Sequence, residues 1–121
     1  RSYSVTGVQT CALPISLNDR DFMLDLAREL GHPVIVVSDA RLGTINHTLL
    51  TVAALRHAGV TIAGVVVNNM PVGYDPIAED NIKLIRERGD VRILAVIPKI
   101  SGSPDPHKLS ADFSSFDPYS L

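Results

Sequence analysis

The stretch PVIVVSDARLGTINHTLLTVAALRHAGVTIAGVVVNN, from Pro33 to Asn69, contains the pattern that decides the fold. It begins with PVIVV and ends with TIAGVVV, two nearly continuous apolar runs rich in β-branched residues. Such runs are typical of strands buried on both faces, as in a parallel sheet. Between them, Thr44 to His57 has helical spacing, and Gly59 supplies a stop. We expect four side chains of this helix to face inward: Ile45, Leu49, Val52 and Ala53.

The flanking segments repeat the same alternation. Upstream, Asn18 is a candidate N-cap for a helix over Asp19 to Leu30. Its apolar face is formed by Phe22, Leu26 and Leu30. Downstream, Asp75 followed by Pro76 is typical of an N-cap and first helical position. We expect this third helix to bury Ile77, Ile82 and Ile85 and to end at Gly89.

The resulting order is α-β-α-β-α-β, with strands predicted at Pro33–Val37, Thr61–Val67 and Arg92–Ile97. Buried strands joined by helices predict an α/β fold: an open parallel sheet with helices on both faces and right-handed crossovers. Three strands are few for such a sheet, which usually has about 4 to 6. We therefore expect the N-terminal half of the domain to be missing from the sequence.

The first sixteen residues, RSYSVTGVQTCALPIS (Arg1–Ser16), show neither a helical nor a strand period. VTGVQTCALPI within them resembles a translated sequencing-library adapter, so we interpret 1–16 as a non-native segment. A native strand and turn is the alternative. On the first interpretation, residues 17–121 are the C-terminal part of a single α/β domain, ending in a Ser-, Asp- and Pro-rich surface tail from Ser101.

Composition excludes several classes of protein. The 121 residues are 45% hydrophobic and 20% charged, with a formal net charge of −2, as in a globular domain. The near balance of acidic and basic residues argues against a protein surface that coats nucleic acid. No apolar run approaches the ~20 residues that a membrane-spanning helix needs. A single Cys excludes a disulfide framework, and no chelating pair of His, Cys or carboxylates predicts a metal site.

Ligands of open α/β sheets bind outside the carboxyl ends of the strands. These ends lie at 38–44, 68–74 and 98–103. In the first, Gly43 allows close approach, and Thr44 to Asn46 would present N–H groups at a helix N-terminus, which attracts anions. An ordinary βα turn with a Thr cap is the alternative. His47, in the first turn of this helix, is interpreted as a surface residue rather than a base.

The second strand end has two amides, Asn68 and Asn69, whose donor and acceptor atoms suit the edge of a purine. A simple turn-initiating Asn pair is the alternative. Pro98, Lys99 and Ile100, at the third end, could flank the same base. Asp39 ends an apolar strand as a magnesium-supporting Asp does, but no G-x-x-x-x-G-K-[ST] loop precedes it. Neither G-x-G-x-x-G nor G-x-S-x-G occurs.

The segment Leu42 to Thr51 (LGTINHTLLT), followed by A-G-x-V-x-N, resembles dethiobiotin synthase. The continuation through IPKI (Ile97–Ile100) is similar to it as well. LNDRDFMLDLARELG (Leu17–Gly31) resembles the helix that follows that family's E-G-A-G loop. The resemblance covers nearly all of residues 17–100.

That resemblance implies an ATP-dependent cyclo-ligase that closes the ureido ring of dethiobiotin from 7,8-diaminononanoate, CO₂ and ATP with Mg²⁺. It implies a cytoplasmic homodimer with active sites near the subunit interface, acting on neither nucleic acid nor membrane. The substrate carboxylate would contact Leu42, Gly43, Thr44, Ile45 and Asn46. The nucleotide base would contact Asn68, Asn69, Pro98, Lys99 and Ile100.

Two departures from the family's pattern matter. Its phosphate loop, catalytic lysines and magnesium ligands lie upstream of the matching segment, so no catalytic or metal-binding residue is predicted here and the chain alone is expected to be inactive. Asn69 stands where an Asp is common. The alternatives are another ATPase of the same superclass, such as a cobyrinate amidating synthase or a partitioning ATPase, and a non-catalytic regulatory domain of this fold.

Overall fold

Three parallel strands form the centre of the structure, a computed structural model that describes residues 15–73 and 75–100. The strands are β1 (Val34–Asp39), β2 (Ile62–Met70) and β3 (Ile93–Pro98), in the order β1-β2-β3. Asp39 pairs with Asn68, and Met70 pairs with Pro98. Because both pairings are parallel, all three carboxyl ends lie at one edge, and the predicted open parallel α/β sheet is confirmed.

Three helices accompany the sheet: α1 (Met23–Leu30), α2 (Thr44–His57) and α3 (Pro76–Gly89). Helix α2 connects β1 to β2, and α3 connects β2 to β3. Both connections step in the same direction across the sheet, so crossovers of one hand place α2 and α3 on the same face. The two helices also pack against each other. No helix of the described ranges is long and apolar enough to cross a membrane.

The hydrophobic core lies between this face and the two crossover helices. Its most deeply buried side chains are Val65 of β2, Leu55 of α2 and Ile85 of α3, each with no exposed surface. Fully burying an aliphatic side chain of this size contributes about 1.5 to 3 kcal/mol. The core therefore fixes α2, and with it the loop that precedes α2, against the carboxyl edge of the sheet.

The other face of the sheet is partly accessible in the described ranges. Burial alternates from Ile35 to Ser38 of β1: Val36 and Ser38 are buried, whereas Ile35 and Val37 are 37% and 44% exposed. Val96 of β3 is 44% exposed as well. The β-branched run of β1 was expected to be buried on both faces, and it is buried on one.

The first helix begins later than predicted, at Met23 rather than Asp19. Asn18 caps a tight turn instead, because its Oδ1 accepts from the backbone N–H groups of Arg20 and Asp21 at 2.8 and 2.9 Å. The three residues predicted to form its apolar face are exposed, and Phe22 is the N-cap residue rather than part of the helix. Leu30 is 58% exposed and no residue of α1 is fully buried, although Leu24 packs against the core.

The bounds predicted for α2 are confirmed, but its inward face is rotated from the prediction. Of the four predicted side chains, Val52 is buried, Ile45 and Leu49 are partly buried and Ala53 is exposed. The buried positions are Thr44, Thr48, Val52 and Leu55. Ile45 and Leu49 were predicted to face inward because they are apolar. Packing of α2 against β1 instead buries two threonines, Thr44 and Thr48.

Helix α3 starts as predicted. Asp75 Oδ1 accepts from the N–H groups of Ile77 and Ala78 at 3.0 and 3.2 Å, and Pro76 occupies the first turn. Ile77 is exposed, contrary to the prediction, because the buried stripe runs through Ala78, Ile82 and Ile85. Gly89 is the last helical residue, and Asp90 rather than Gly89 adopts the left-handed conformation beyond it.

The strand bounds differ from the prediction mainly at the carboxyl edge. Strand β2 continues through Asn68 and Asn69 to Met70, whereas a loop was expected from Asn68. The adapter interpretation of 1–16 falls almost entirely outside the described residues, as do Tyr74 and the tail from Ser101. At the margin of that segment, Met23 N–H donates to Ile15 at 3.0 Å.

The accessible sheet face generates a prediction about solubility. Exposed apolar rows at the edge of a sheet favour association between molecules, so we expect the chain to aggregate. Replacing Ile35 and Val37 together by Thr keeps β-branched side chains and removes apolar surface, which should raise the monomeric fraction in size-exclusion chromatography with light scattering. Val36→Thr is the matched control, because this buried position should lose stability without gaining solubility. Unchanged aggregation of the double variant would contradict the prediction.

Candidate functional site

A cavity of about 820 Å³ opens at the carboxyl edge of the sheet, between the N-terminal turn of α2 and α3. Its walls include all five residues predicted to hold a carboxylate, Leu42 to Asn46. A volume of this size matches small-molecule sites, which measure about 300 to 1,000 Å³. The structure therefore brings the predicted carboxylate group together around one ligand-sized space.

The turn before α2 has the backbone conformation that its glycine allows. Gly43 is the N-cap residue at φ 90°, where a side chain is strained, and no side chain caps the helix. The Thr44 N–H, expected to face an anion, donates instead to the Arg41 carbonyl oxygen at 3.1 Å. Thr44 lines the cavity, and its buried Oγ1 has no hydrogen-bond partner.

The walls of the cavity are mainly apolar. They are contributed by α2, by α3 and by the segment after β2: Ile45, Leu49, Leu50, Pro71, Ile77 and Ala78. Among the described residues that line it, Arg41 is the one cationic side chain and Asp75 the one carboxylate. Asp75 accepts two backbone hydrogen bonds as the cap of α3, so the space is mainly apolar with one cationic and one anionic side chain at its rim.

Asp39, at the end of β1, connects this cavity to the neighbouring strand. Its Oδ2 lies 2.8 Å from Arg41 Nε and 2.7 Å from Arg41 Nη2, and its Oδ1 accepts from the Arg41 backbone N–H at 3.1 Å. Asn69 Nδ2 donates to Oδ2 at 3.3 Å. The Asp39 side chain is 4% exposed, so these bonds replace its hydration.

The electrostatics of Asp39 follow from these contacts. Burial raises the pKa of Asp39, because a low-dielectric environment disfavours the charged form. The hydrogen bonds from Arg41 and Asn69, together with the positive charge of Arg41, outweigh burial and hold the pKa below its usual value. Asp39 is therefore ionised, and its oxygens are already occupied by donors of the chain.

The predicted base-binding residues lie at the same edge, one strand further along. Asn68 is half-buried, and its carbonyl oxygen accepts from Ala40 N–H at 2.9 Å. The Lys99 N–H donates to Met70 at 2.7 Å, which places the Pro98–Ile100 segment next to the end of β2. Asn69 instead has a left-handed backbone (φ 58°) and lines the cavity with Arg41.

Sequence reasoning missed the Asp39–Arg41–Asn69 contacts. Asp39 was considered only as a magnesium-supporting residue, and Arg41 was not singled out. An Asp that ends a buried strand two residues before an Arg could have indicated the pair. Within 15–73 and 75–100, no group of three His, Cys, Asp or Glu is placed to hold a metal ion. His47 is partly buried beside Asp39 and Gly43 in a smaller, adjoining cavity.

A parallel sheet with helical crossovers and a cavity outside its carboxyl edge defines an open α/β ligand-binding domain. A model of the AAA domain family matches residues 5–107, and the chain belongs to this family. The fold is accordingly of the P-loop NTPase type. The match includes part of the segment interpreted as adapter-derived.

Among curated proteins, the chain is similar to enzymes named ATP-dependent dethiobiotin synthetase BioD. It is 43% identical to that of Aromatoleum aromaticum over 110 residues, 88% of this chain and 46% of that protein. It is 39% identical over 108 residues to that of Halalkalibacterium halodurans, covering 89% of this chain and 43% of the relative. The corresponding protein of Methanococcus vannielii is 42% identical over 95 residues, with coverage of 77% and 44%. The chain thus spans less than half the length of these relatives.

The lowered pKa of Asp39 predicts acid sensitivity. A carboxyl whose pKa is lower in the folded than in the unfolded state stabilises the fold above the unfolded pKa, and this contribution is lost as the pH falls through the folded pKa. We therefore expect the free energy of unfolding to fall as the pH drops below about 3.9, the ordinary Asp value. Urea denaturation across a pH series measures this dependence.

The Asp39→Asn variant should show a flatter dependence on pH, because it has no carboxyl at this position to protonate. Asp80→Asn removes the same formal charge at an exposed position of α3 and should leave the acid dependence in place. An Asp39→Asn curve parallel to that of the unmodified chain would contradict the assignment.

Proposed function

We propose that this chain is the C-terminal part of a dethiobiotin synthetase. In the reaction that the resemblance implies, 7,8-diaminononanoate, CO₂ and ATP form the ureido ring of dethiobiotin, a cyclo-ligase reaction with Mg²⁺. The observation on which the proposal depends is the convergence of Leu42–Asn46 on one ligand-sized cavity at the carboxyl edge. The 35–43% identity to proteins named dethiobiotin synthetase supports it independently.

The first role proposed for this chain is to hold the aliphatic substrate by its carboxylate end. The apolar walls of the cavity suit a hydrocarbon chain, and the turn before α2 forms one side of it. The N-terminus of a helix favours an anion by about 0.3 to 1 kcal/mol when exposed, and by up to about 2 kcal/mol when partly buried. The carboxylate would therefore be oriented while the amines remain available for reaction.

The second proposed role is recognition of the adenine of ATP. Asn68 has an amide donor and an acceptor and lies two residues before Met70, which pairs with Pro98. Sites that read polar groups by hydrogen bonds discriminate strongly, because the wrong ligand leaves buried polar atoms unpaired. Asn69 is assigned here to the cavity side of β2, where it contacts Asp39.

Phosphate and magnesium chemistry belongs to another part of the proposed enzyme. The described residues form no three-ligand group for a metal, and the Asp39 oxygens accept bonds from Arg41 and Asn69. These residues do not fit a magnesium site, so no phosphoryl-transfer step is assigned to them. Mg²⁺ bound elsewhere in the complete enzyme would supply charge neutralisation of the phosphates.

A homodimer is also part of the proposal. Leu42 is fully exposed at the cavity mouth, and Leu50 and Ile77 are 61% and 72% exposed along its walls. Exposed apolar clusters around a site are typical of surfaces that are covered by a partner. A second subunit packed here would complete the cavity, in agreement with active sites near a subunit interface. A cytoplasmic location follows from the proposed activity alone.

The purified 121-residue chain should not hydrolyse or transfer phosphate from ATP. The sequence contains no G-x-x-x-x-G-K-[ST] loop, and phosphoryl transfer depends on such a loop with its Lys and magnesium. A coupled assay for ADP release with ATP, Mg²⁺ and 7,8-diaminononanoate measures this. ADP release that co-purifies with the chain, and is absent from a mock purification, would contradict the prediction.

The proposed function is tested on the complete protein, obtained by extending the coding sequence upstream of Leu17. Mass spectrometry should detect dethiobiotin formed from 7,8-diaminononanoate, bicarbonate and ATP. Asn68→Ala should raise the KM for ATP by about tenfold, the effect of one to two lost hydrogen bonds, and should reduce the preference for ATP over GTP. A variant that is only destabilised would lose activity with both nucleotides equally. Failure of the unmodified complete protein to form dethiobiotin would refute the proposal.

A further inference from the structure

The Asp39–Arg41 pair holds a guanidinium at the mouth of the cavity. The Asp39 carboxylate is buried, whereas the Arg41 side chain is 79% exposed. Arg41 contacts Asp39 through Nε and Nη2, at 2.8 and 2.7 Å. Since a guanidinium has five N–H donors in a rigid planar fork, the contacts with Asp39 fix its plane and leave its outer edge toward the surface. Arg41 lines both the large cavity and the smaller one beside it.

Burial of the Asp39 carboxylate costs free energy, and the packing of the hydrophobic core does not require a carboxylate at this position. An ionised carboxylate removed from water is unfavourable unless it is paired and hydrogen-bonded. The Asp39 oxygens bond to a cavity-lining residue of the loop, Arg41, and to a cavity-lining residue of β2, Asn69. The carboxylate therefore orders the rim of the cavity rather than the hydrophobic core.

Arg41 is the charged group of the cavity that can attract a carboxylate. It is the one cation among the described lining residues, and their single carboxylate, Asp75, accepts the backbone N–H groups of α3. The Thr44 N–H donates to Arg41 O, so the turn offers fewer free donors than its sequence indicates. A carboxylate head group that enters this space meets the exposed Arg41 guanidinium at its rim.

We propose that Arg41 is the cationic contact for the carboxylate of an aliphatic acid bound in the cavity, and that Asp39 is the positioning residue that holds its guanidinium there. This deepens the proposed function, on which it rests for the identity of the natural acid. The Leu42–Asn46 turn orients the head group, and Arg41 adds a fixed charge with directional donors. Arg–carboxylate bonds are shorter and about twice as strong as neutral ones.

The experiment uses the complete protein, obtained by extending the coding sequence upstream of Leu17, and two simple probes, nonanoate and 1-nonanol, with binding followed by two-dimensional NMR. Both probes have the same hydrocarbon chain and differ in the charged head. We expect nonanoate to bind the unmodified protein more tightly than 1-nonanol. Arg41→Gln should weaken nonanoate binding about tenfold and leave 1-nonanol binding unchanged. Arg88→Gln removes the same charge from an exposed position near the end of α3 and should alter neither.

The positioning role has its own measurement. Asp39→Asn keeps Arg41 but removes the anionic acceptor, so nonanoate should bind about three- to tenfold more weakly while 1-nonanol binds as before. Because Arg41 Nε donates to Asp39, we expect its N–H signal to be protected from exchange with water in the unmodified protein and to exchange rapidly in Asp39→Asn. Arg41→Lys should restore part of the nonanoate affinity lost in Arg41→Gln, since it keeps the charge without the fork.

Three results would overturn the proposal: no tighter binding of nonanoate than of 1-nonanol, equal nonanoate affinity for Arg41→Gln and the unmodified protein, or parallel losses of both probes in Asp39→Asn. Because Arg41 is exposed, Arg41→Gln remains informative even where Asp39→Asn fails to fold. The dethiobiotin assay of the complete protein is separate from these measurements. If the complete protein forms dethiobiotin but Arg41→Gln binds nonanoate as tightly as the unmodified protein, this inference is refuted and the proposed function stands.

Discussion

Parallel pairing of β2 with both of its neighbours is the constraint on which the rest of the structure depends. It brings Asp39, Asn68 and Pro98, which are far apart in sequence, to one edge of the sheet. It also requires each connection to return along the length of the sheet, which α2 and α3 do on the same face. The cavity between these helices is therefore a consequence of strand direction, and its residues come from the segments that follow the strands.

Sequence predicted this architecture well where a local signal and the tertiary packing agree. The bounds of α2 follow from Gly43 and from the apolar period up to His57, and Asp75 with Pro76 marks the start of α3 in both sequence and structure. Prediction failed where several faces of a helix were equally plausible and tertiary packing determined which face is buried. Thr44 and Thr48 are buried in preference to Ala53 because α2 lies against β1 with its polar first turn inward, and no single-residue preference encodes that rotation.

In the candidate site as well, some residues could be identified from sequence and others could not. The L-G-T-I-N segment and Asn68 were identifiable, because each follows an apolar strand and the edge at which strands end is set by topology. The Asp39–Arg41–Asn69 contacts were not, since they require the side chains of β1 and β2 to meet across a register that only the paired strands define. Asn69 illustrates the difference: its residue type suggested a base contact, whereas its left-handed backbone accompanies a contact with Asp39.

The buried Asp39 carboxylate binds the exposed Arg41 side chain. This contact links the stability of the fold to the order of the cavity rim. Asp39 remains ionised because Arg41 and Asn69 donate to it, and Arg41 remains fixed because Asp39 is buried beside α2. Neither residue is deep in the hydrophobic core, and Arg41 lines the cavity that a ligand would enter. An anionic ligand that engages Arg41 would reinforce the same contacts, since each additional hydrogen bond to the guanidinium further restricts the plane in which it meets Asp39. The edge of the sheet is then ordered by the ligand and by the fold together, as expected of a site that lies outside the strands instead of between them.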